Sequence, residues 1–76
     1  MITVKYFASL REEVGRASDI LELSGPLSVL DVWKQATGQS ALMNNVLIAL
    51  NQEYCEEDTV ISDGDEVAFF PPVTGG

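Results

Sequence analysis

The chain has 76 residues, 46% of them apolar, which is enough for one small domain. Its net charge of −8 disfavours nucleic acid and anionic membranes as partners. The sequence has no histidine and a single cysteine, which excludes a Ser-His-Asp triad, a histidine-containing zinc cage and an internal disulfide. We expect a cytoplasmic protein, because the sequence shows neither a membrane-length apolar run nor a signal-peptide pattern.

The N-terminal third predicts two strands separated by a short helix. Residues 2 to 7 alternate between apolar and polar side chains, as a half-buried strand does. Ser9 and Glu12 have the spacing of a capping box, which predicts a helical segment that stops at Gly15. Residues 19 to 23 alternate again and predict the second strand.

The principal helix is predicted after the break at Gly25-Pro26. Ser28 has the residue type of an N-cap, and Asp31 in the first turn suits the helix dipole. Apolar residues then recur at helical spacing until Gly38: Val29, Leu30, Trp33 and Ala36. We interpret Trp33 as a core residue rather than a ligand platform, because it lies on this apolar stripe.

The C-terminal half predicts two more strands. Residues 46 to 51 are nearly all apolar, as in a central strand buried on both faces. Residues 52 to 58 are acidic and irregular, whereas residues 66 to 70 form a last strand that Pro71-Pro72 must end. The order predicts an α+β fold of the β-grasp (ubiquitin-like) kind, a mixed sheet with one principal helix on one face. We expect the domain to comprise residues 1–72, followed by a flexible tail, 73–76.

One helix covers only one face of a sheet, so the outward residues of the last strand need an explanation. Alternation assigns Val67 and Phe69 to the core and Phe70 to the open side. If the first and last strands are neighbours, Phe7 and Phe70 form an exposed apolar patch, which predicts a docking surface. The alternative is that one of them folds over a loop or lies on the sheet rim.

Three further residues outside the tail are candidates for function. Tyr54 stands among glutamates and is a third aromatic for the docking surface, and Arg11 could bind a partner's carboxylate or remain a solvated charge. We interpret Cys55 as a packing residue, because it has no histidine to activate it and neighbouring glutamates would raise its thiol pKa.

The tail has the composition of an arm that carries a reactive end. Pro71-Pro72 favours an extended strut, and residues 73–76 span roughly 13 to 14 Å when extended. Gly75 and Gly76 lack Cβ atoms and can pass through a narrow channel to present a terminal carboxylate. Activation by ATP and displacement by a sulfur donor would convert this group into a thiocarboxylate. The alternative is a disordered end without chemistry.

Two segments carry a family resemblance. DGDEVAFFPPVTGG (63–76) and VKYFASLREEVG (4–15) resemble the small subunits of molybdopterin synthase, which are ubiquitin-like sulfur carriers. The resemblance implies that an E1-like adenylating enzyme forms the Gly76 adenylate and that a sulfur donor, such as a cysteine desulfurase system, converts it into a thiocarboxylate.

The same resemblance implies docking on the synthase large subunit, in a heterotetramer, and sulfur transfer to cyclic pyranopterin monophosphate to form the dithiolene. The chain would be a non-catalytic sulfur-donor subunit that binds no metal and no cofactor of its own, since ATP is used by the adenylating enzyme. The reacting residues would be Gly76 and Gly75. The partner-binding residues would be Phe7, Phe70, Tyr54, Arg11, Pro71, Pro72, Val73 and Thr74.

Three other functions remain open on the residues alone. A related Gly-Gly carrier would serve thiamine thiazole formation or tRNA thiolation. A ubiquitin-like modifier would end in an isopeptide bond from Gly76 to a lysine, and a plain binding module would use the sheet face without terminal chemistry.

Overall fold

The computed structural model describes residues 1–42 and 45–71. Seven strands and two helices follow one another in this part of the chain. They are β1 (Ile2–Tyr6), α1 (Ser9–Val14), β2 (Ser18–Leu21), β3 (Leu27–Ser28), α2 (Val29–Thr37), β4 (Leu47–Leu50), β5 (Glu53–Tyr54), β6 (Val60–Ile61) and β7 (Glu66–Phe70). Neither helix in the described ranges is long and apolar enough to cross a membrane.

The main sheet has five strands in the order β2-β1-β7-β4-β5. β1 and β7 are parallel, with Val4 beside Val67 and Tyr6 beside Phe69, and the other pairs are antiparallel. The short strands β3 and β6 form a separate two-stranded sheet. The predicted α+β class, a mixed sheet with one principal helix, is therefore confirmed.

Helix α2 packs on one face of the main sheet and closes the core. It buries Val29, Val32 and Trp33 together with alternate residues of the strands. The Trp33 ring meets Phe69 edge to face with centroids 4.9 Å apart, and its Nε1 donates to the carbonyl of Ala41 at 3.0 Å. Because the indole is buried and its only polar atom is bonded, the interpretation of Trp33 as core is confirmed.

The observed caps of α2 agree with those predicted from the sequence, whereas the observed N-cap of α1 differs from the predicted one. Ser28 caps α2 in a full capping box with Asp31, and Gly38 ends the helix in the left-handed conformation. The predicted Ser9 capping box is wrong, because Ser9 is already helical. Ala8 occupies the cap position with φ 52° and no side-chain hydrogen bond, so the spacing was present without the required geometry.

Two strand predictions also need correction. Residues 46 to 51 are buried on both faces only in part, because Ile48 and Ala49 are buried on opposite faces of β4 whereas Leu47 stays 36% exposed on the side that α2 does not cover. The central strand is β7. The sequence reading also missed β3, β5 and β6, because two-residue strands are too short to show a period of two.

The capping box predicts that the contribution of Asp31 to the free energy of unfolding depends on pH. The backbone N–H of Ser28 donates to the Asp31 carboxylate at 3.0 Å. This bond, followed by the Ser28 side chain, holds the pKa of the Asp31 carboxyl below its usual range. This contribution is present above the unfolded-state pKa, near 4, and is lost as pH falls through the folded-state pKa. Replacing Asp31 with alanine should lower the melting temperature by a few degrees at neutral pH. The difference from wild type should shrink below about pH 4. A difference that stays constant into strong acid would contradict this role.

Candidate functional site

The sheet face opposite α2, here called the open face, carries the predicted docking residues. Strand register places Lys5, Ala68 and Ala49 in one row across β1, β7 and β4, with Tyr54 of β5 paired to Ala49. Tyr54 is 78% exposed. No helix of the described chain packs on this face, where Ala49 and Ala68 are buried among larger neighbours.

An aromatic pair stands at the end of the open face where the tail begins. The rings of Phe7 and Phe70 are stacked, with centroids 4.7 Å apart and an interplanar angle of 7°. The backbone N–H of Phe7 donates to the carbonyl of Phe69 at 3.1 Å, which extends the β1–β7 pairing by one residue. Phe7 is 37% exposed. The expected apolar patch is therefore confirmed, whereas its role in docking stays a prediction.

A concavity of about 360 Å³ lies beside this pair. Its lining is aromatic at one end and polar at the other: Phe7, Phe70, Tyr54, Ala49, Ala68, Lys5, Glu66 and Gln52. The Lys5 ammonium pairs with the Glu66 carboxylate at 3.1 Å, which balances the charge inside it. Small side chains on the central strands, with larger ones around them, create a recess that fits a side chain of a partner protein.

The turn from β1 into α1 positions Arg11 next to the aromatic pair. Ala8 takes φ 52° and ψ −130°, a conformation that is strained for a residue with a Cβ. A second depression, of about 260 Å³, is lined by Phe7, Lys5 and Arg11 together with Tyr6, Ala17 and Ser18. Arg11 takes part in none of the three ion pairs of the described residues, so its guanidinium is available to a partner's carboxylate.

A polar network supports the aromatic pair from the core side. The Tyr6 hydroxyl donates to Asp19 at 2.8 Å, and the Nε of Arg16 donates to the same carboxylate oxygen at 2.6 Å. Arg16 also donates to the carbonyl of Ala36 at the end of α2. Burial is the main cause that raises the pKa of Tyr6 above its ordinary value, and the neighbouring Asp19 raises it further. The phenol therefore remains a hydrogen-bond donor. The network holds the end of β1, from which Phe7 extends.

The tail follows directly from the open face. β7 ends at Phe70, and Pro71 is half-buried after it. The remaining predicted site residues, Pro72, Val73, Thr74, Gly75 and Gly76, lie outside the described residues. Their roles stay predictions, as does the division of the chain into residues 1–72 and 73–76.

Cys55 does not belong to the open face. It packs half-buried against the core, and burial is the main cause that raises the pKa of its thiol, with Glu56 adding to it. The thiol is therefore protonated at neutral pH. Residues 1–42 and 45–71 also contain no group of three or more acidic or cysteine side chains placed to hold a metal ion.

The sequence reading missed part of this surface. Alternation along β1 and β7 places Lys5, Glu66 and Ala68 on the open side of the sheet, but Ala49 was not identified, because strand register brings it beside Ala68. Gln52 was also missed, although a signal was present: Asn51-Gln52 separates an apolar run from Tyr54, which fits a two-residue hairpin turn.

Comparison with known proteins shows full-length similarity. The model of the ThiS family matches residues 4–76. The molybdopterin synthase sulfur carrier subunit of Escherichia coli is 42% identical over 83 residues, covering 100% of both chains. The subunit of that name from Homo sapiens is 32% identical, covering 99% of this chain and 93% of its own.

The fold is shared with solved structures. SAMP1, a small archaeal modifier protein from Haloferax volcanii, superposes with a TM-score of 0.80 at 26% identity, covering 99% of this chain and 98% of its own. A match of this extent confirms the predicted β-grasp fold.

The strained turn at Ala8 yields a stability prediction. Replacing Ala8 with glycine should raise the free energy of unfolding by about 1 kcal/mol, because glycine adopts this conformation without steric cost. The matched control is Ala17→Gly, at an exposed position without a positive φ, which should lower stability by roughly 0.5 to 1 kcal/mol. Urea denaturation measures both. Equal destabilisation by the two substitutions would show that Ala8 is not strained.

Proposed function

Because this chain belongs to the ThiS family, we propose that it is the sulfur carrier subunit of a molybdopterin synthase. The resemblance drawn from residues 4–15 and 63–76 is confirmed by relatives that are molybdopterin synthase sulfur carrier subunits. The single observation that carries the proposal is the full-length identity of 42% to one of them. The open face supports it, because its aromatic pair lies where the chain leads into PPVTGG.

The reacting group in this proposal is the carboxylate of Gly76. One of its oxygens attacks the α-phosphorus of ATP in the adenylating enzyme, pyrophosphate leaves, and an acyl-adenylate forms. A persulfide of a cysteine desulfurase system then attacks the acyl carbon and AMP leaves. A second thiol of that system reduces the resulting acyl disulfide, so that the thiocarboxylate is released and the thiol ends in a protein disulfide.

The thiocarboxylate is the form that donates sulfur. Its sulfur attacks a carbon of cyclic pyranopterin monophosphate in the large subunit, and the carbon–oxygen bond at that carbon breaks. Hydrolysis of the acyl–sulfur bond then leaves the sulfur on the pterin and restores the Gly76 carboxylate. Two such transfers supply the dithiolene. Gly75 and Gly76 fit this task because they lack side chains, and the residues from Pro71 to Thr74 link them to the domain.

The catalytic groups belong to the partners in this proposal. The described part of the chain has no activated thiol, since burial raises the pKa of Cys55, and the sequence has no histidine. The general base and substrate pocket lie in the large subunit, and the ATP site lies in the adenylating enzyme. The chain binds no cofactor of its own and acts in the cytoplasm as a sulfur-donor subunit.

The open face is the surface that we assign to the large subunit. Phe7 and Phe70 supply a rigid aromatic contact, and Tyr54 adds a ring across the concavity. Arg11, which forms no ion pair within the described part of the chain, offers a charge beside Phe7. Aromatic residues and arginine carry much of the binding energy of protein interfaces. Docking here places the exit of the tail at the edge of the contact, from which residues 72–76 can extend toward an active site.

Intact-mass measurement tests the terminal chemistry. After incubation with ATP, a sulfur source and the adenylating enzyme, the chain should gain the mass of one oxygen-to-sulfur exchange at Gly76. A variant with one residue added after Gly76 should bind the large subunit normally but acquire no sulfur and form no molybdopterin. Full activity of this variant would contradict a terminal thiocarboxylate. Adducts to lysines of other proteins would instead identify a modifier.

Truncation of the aromatic pair tests the docking surface. Replacing Phe7 with alanine should raise the dissociation constant for the large subunit at least tenfold, because interface aromatics commonly contribute that much. The matched control is Ile20→Ala, since Ile20 lies on the same face at the sheet edge and is more exposed. Calorimetric titration measures both. The assignment is wrong if the two variants bind alike.

A further inference from the structure

The hairpin between β4 and β5 contains two residues in a conformation that favours glycine. Leu50 pairs with Glu53, so the loop consists of Asn51 and Gln52 alone. Their φ angles are 51° and 72°, as in a type I′ turn. Such turns favour asparagine followed by glycine, because the second residue also needs a positive φ. Glutamine at position 52 departs from this preference.

Hydrogen bonds within the domain offset the strained backbone conformation of Asn51. Its backbone N–H donates to the carbonyl of Glu66 at 2.8 Å, and its side-chain oxygen accepts from the Glu66 N–H at 2.9 Å. Its amide nitrogen donates to Asp65 at 2.9 Å. These bonds tie the hairpin to the start of β7, and asparagine tolerates the left-handed region better than most residues. The turn itself thus accounts for Asn51.

Gln52 has no such compensation in the described chain. Its side chain takes part in none of the hydrogen bonds formed by residues 1–42 and 45–71, and the residue is exposed. A glycine would satisfy the turn with less strain. Strained backbone positions without an internal benefit are found at functional sites.

The position of the Gln52 side chain indicates which function the strained residue serves. Gln52 lines the polar end of the open-face concavity, on the same hairpin as Tyr54. The neighbouring Lys5 and Glu66 are engaged with each other at 3.1 Å. The Gln52 amide is therefore an uncharged group with both a donor and an acceptor to offer. A peptide group has the complementary pair, one N–H and one C=O.

We infer that Gln52 is a recognition residue whose side-chain amide pairs with a backbone peptide group of the synthase large subunit, in the segment that covers the concavity. This inference rests on the proposed function, because it takes the large subunit as the partner. The apolar side chains of that segment lie against Phe70 and Tyr54 while its peptide group meets Gln52. The contact with the large subunit offsets the backbone strain at position 52.

Two substitutions separate recognition from strain. Gln52→Met keeps the length and the backbone strain but removes the hydrogen bonds, so the melting temperature should stay unchanged while the dissociation constant rises roughly fivefold to twentyfold. Gln52→Gly removes both strain and amide, so the melting temperature should rise while binding weakens by a similar factor. The control is Gln35→Met, the same chemical change at an exposed site on α2, which should alter neither quantity.

Each result has a distinct meaning when the purified large subunit is titrated with the chain in a calorimeter. Wild-type affinity of Gln52→Met overturns the recognition role, and a lower melting temperature for Gln52→Gly overturns the strain argument. Equal weakening by Gln35→Met overturns the assignment of the effect to the concavity. If the wild-type chain itself does not bind, the proposed function fails, and this inference fails with it.

Discussion

The parallel pairing of β1 with β7 is the constraint on which the other features depend. It aligns Val4 with Val67 and Tyr6 with Phe69 on the core side. Because side chains alternate along a strand, the same register sends Phe70 to the open face, where it meets Phe7. A shift by one residue would bury Phe70 and expose Phe69, which would destroy the contact with Trp33 and the aromatic pair together. The core and the candidate site are thus two results of one alignment.

Much of this arrangement could be predicted from local patterns. Alternation correctly separated Phe69 from Phe70, and the cap at Ser28 was visible in residue type and spacing. Local patterns did not predict features that are set by contacts between residues distant in sequence. The conformation of Ala8 and the concavity beside the aromatic pair depend on strand register, which no local window encodes. The proposed reacting end is the reverse case, since Gly76 lies outside the described residues and its role is a prediction from the sequence alone.

A division of labour explains why so few reactive side chains are found. The sequence has no histidine, and the thiol of Cys55 is kept protonated by burial. The described chain instead provides a stiff sheet, a network around Tyr6 that supports its end, and a face of fixed shape. Reactivity in the proposed function is acquired at Gly76 inside one partner and used inside another. In that proposed function, a face of fixed shape takes the place of catalytic side chains.

The shortness of the edge strand β5 also disfavours self-association of the protein. A long, flat edge next to exposed aromatic residues would recruit a second copy by backbone hydrogen bonding and begin a fibril. Here the edge consists of Glu53 and Tyr54 alone, and acidic residues follow it in the sequence at Glu56, Glu57 and Asp58. Like charges repel an approaching copy, and two residues offer too little ladder to hold one. The short, acidic edge thereby disfavours polymerisation through the exposed aromatic surface.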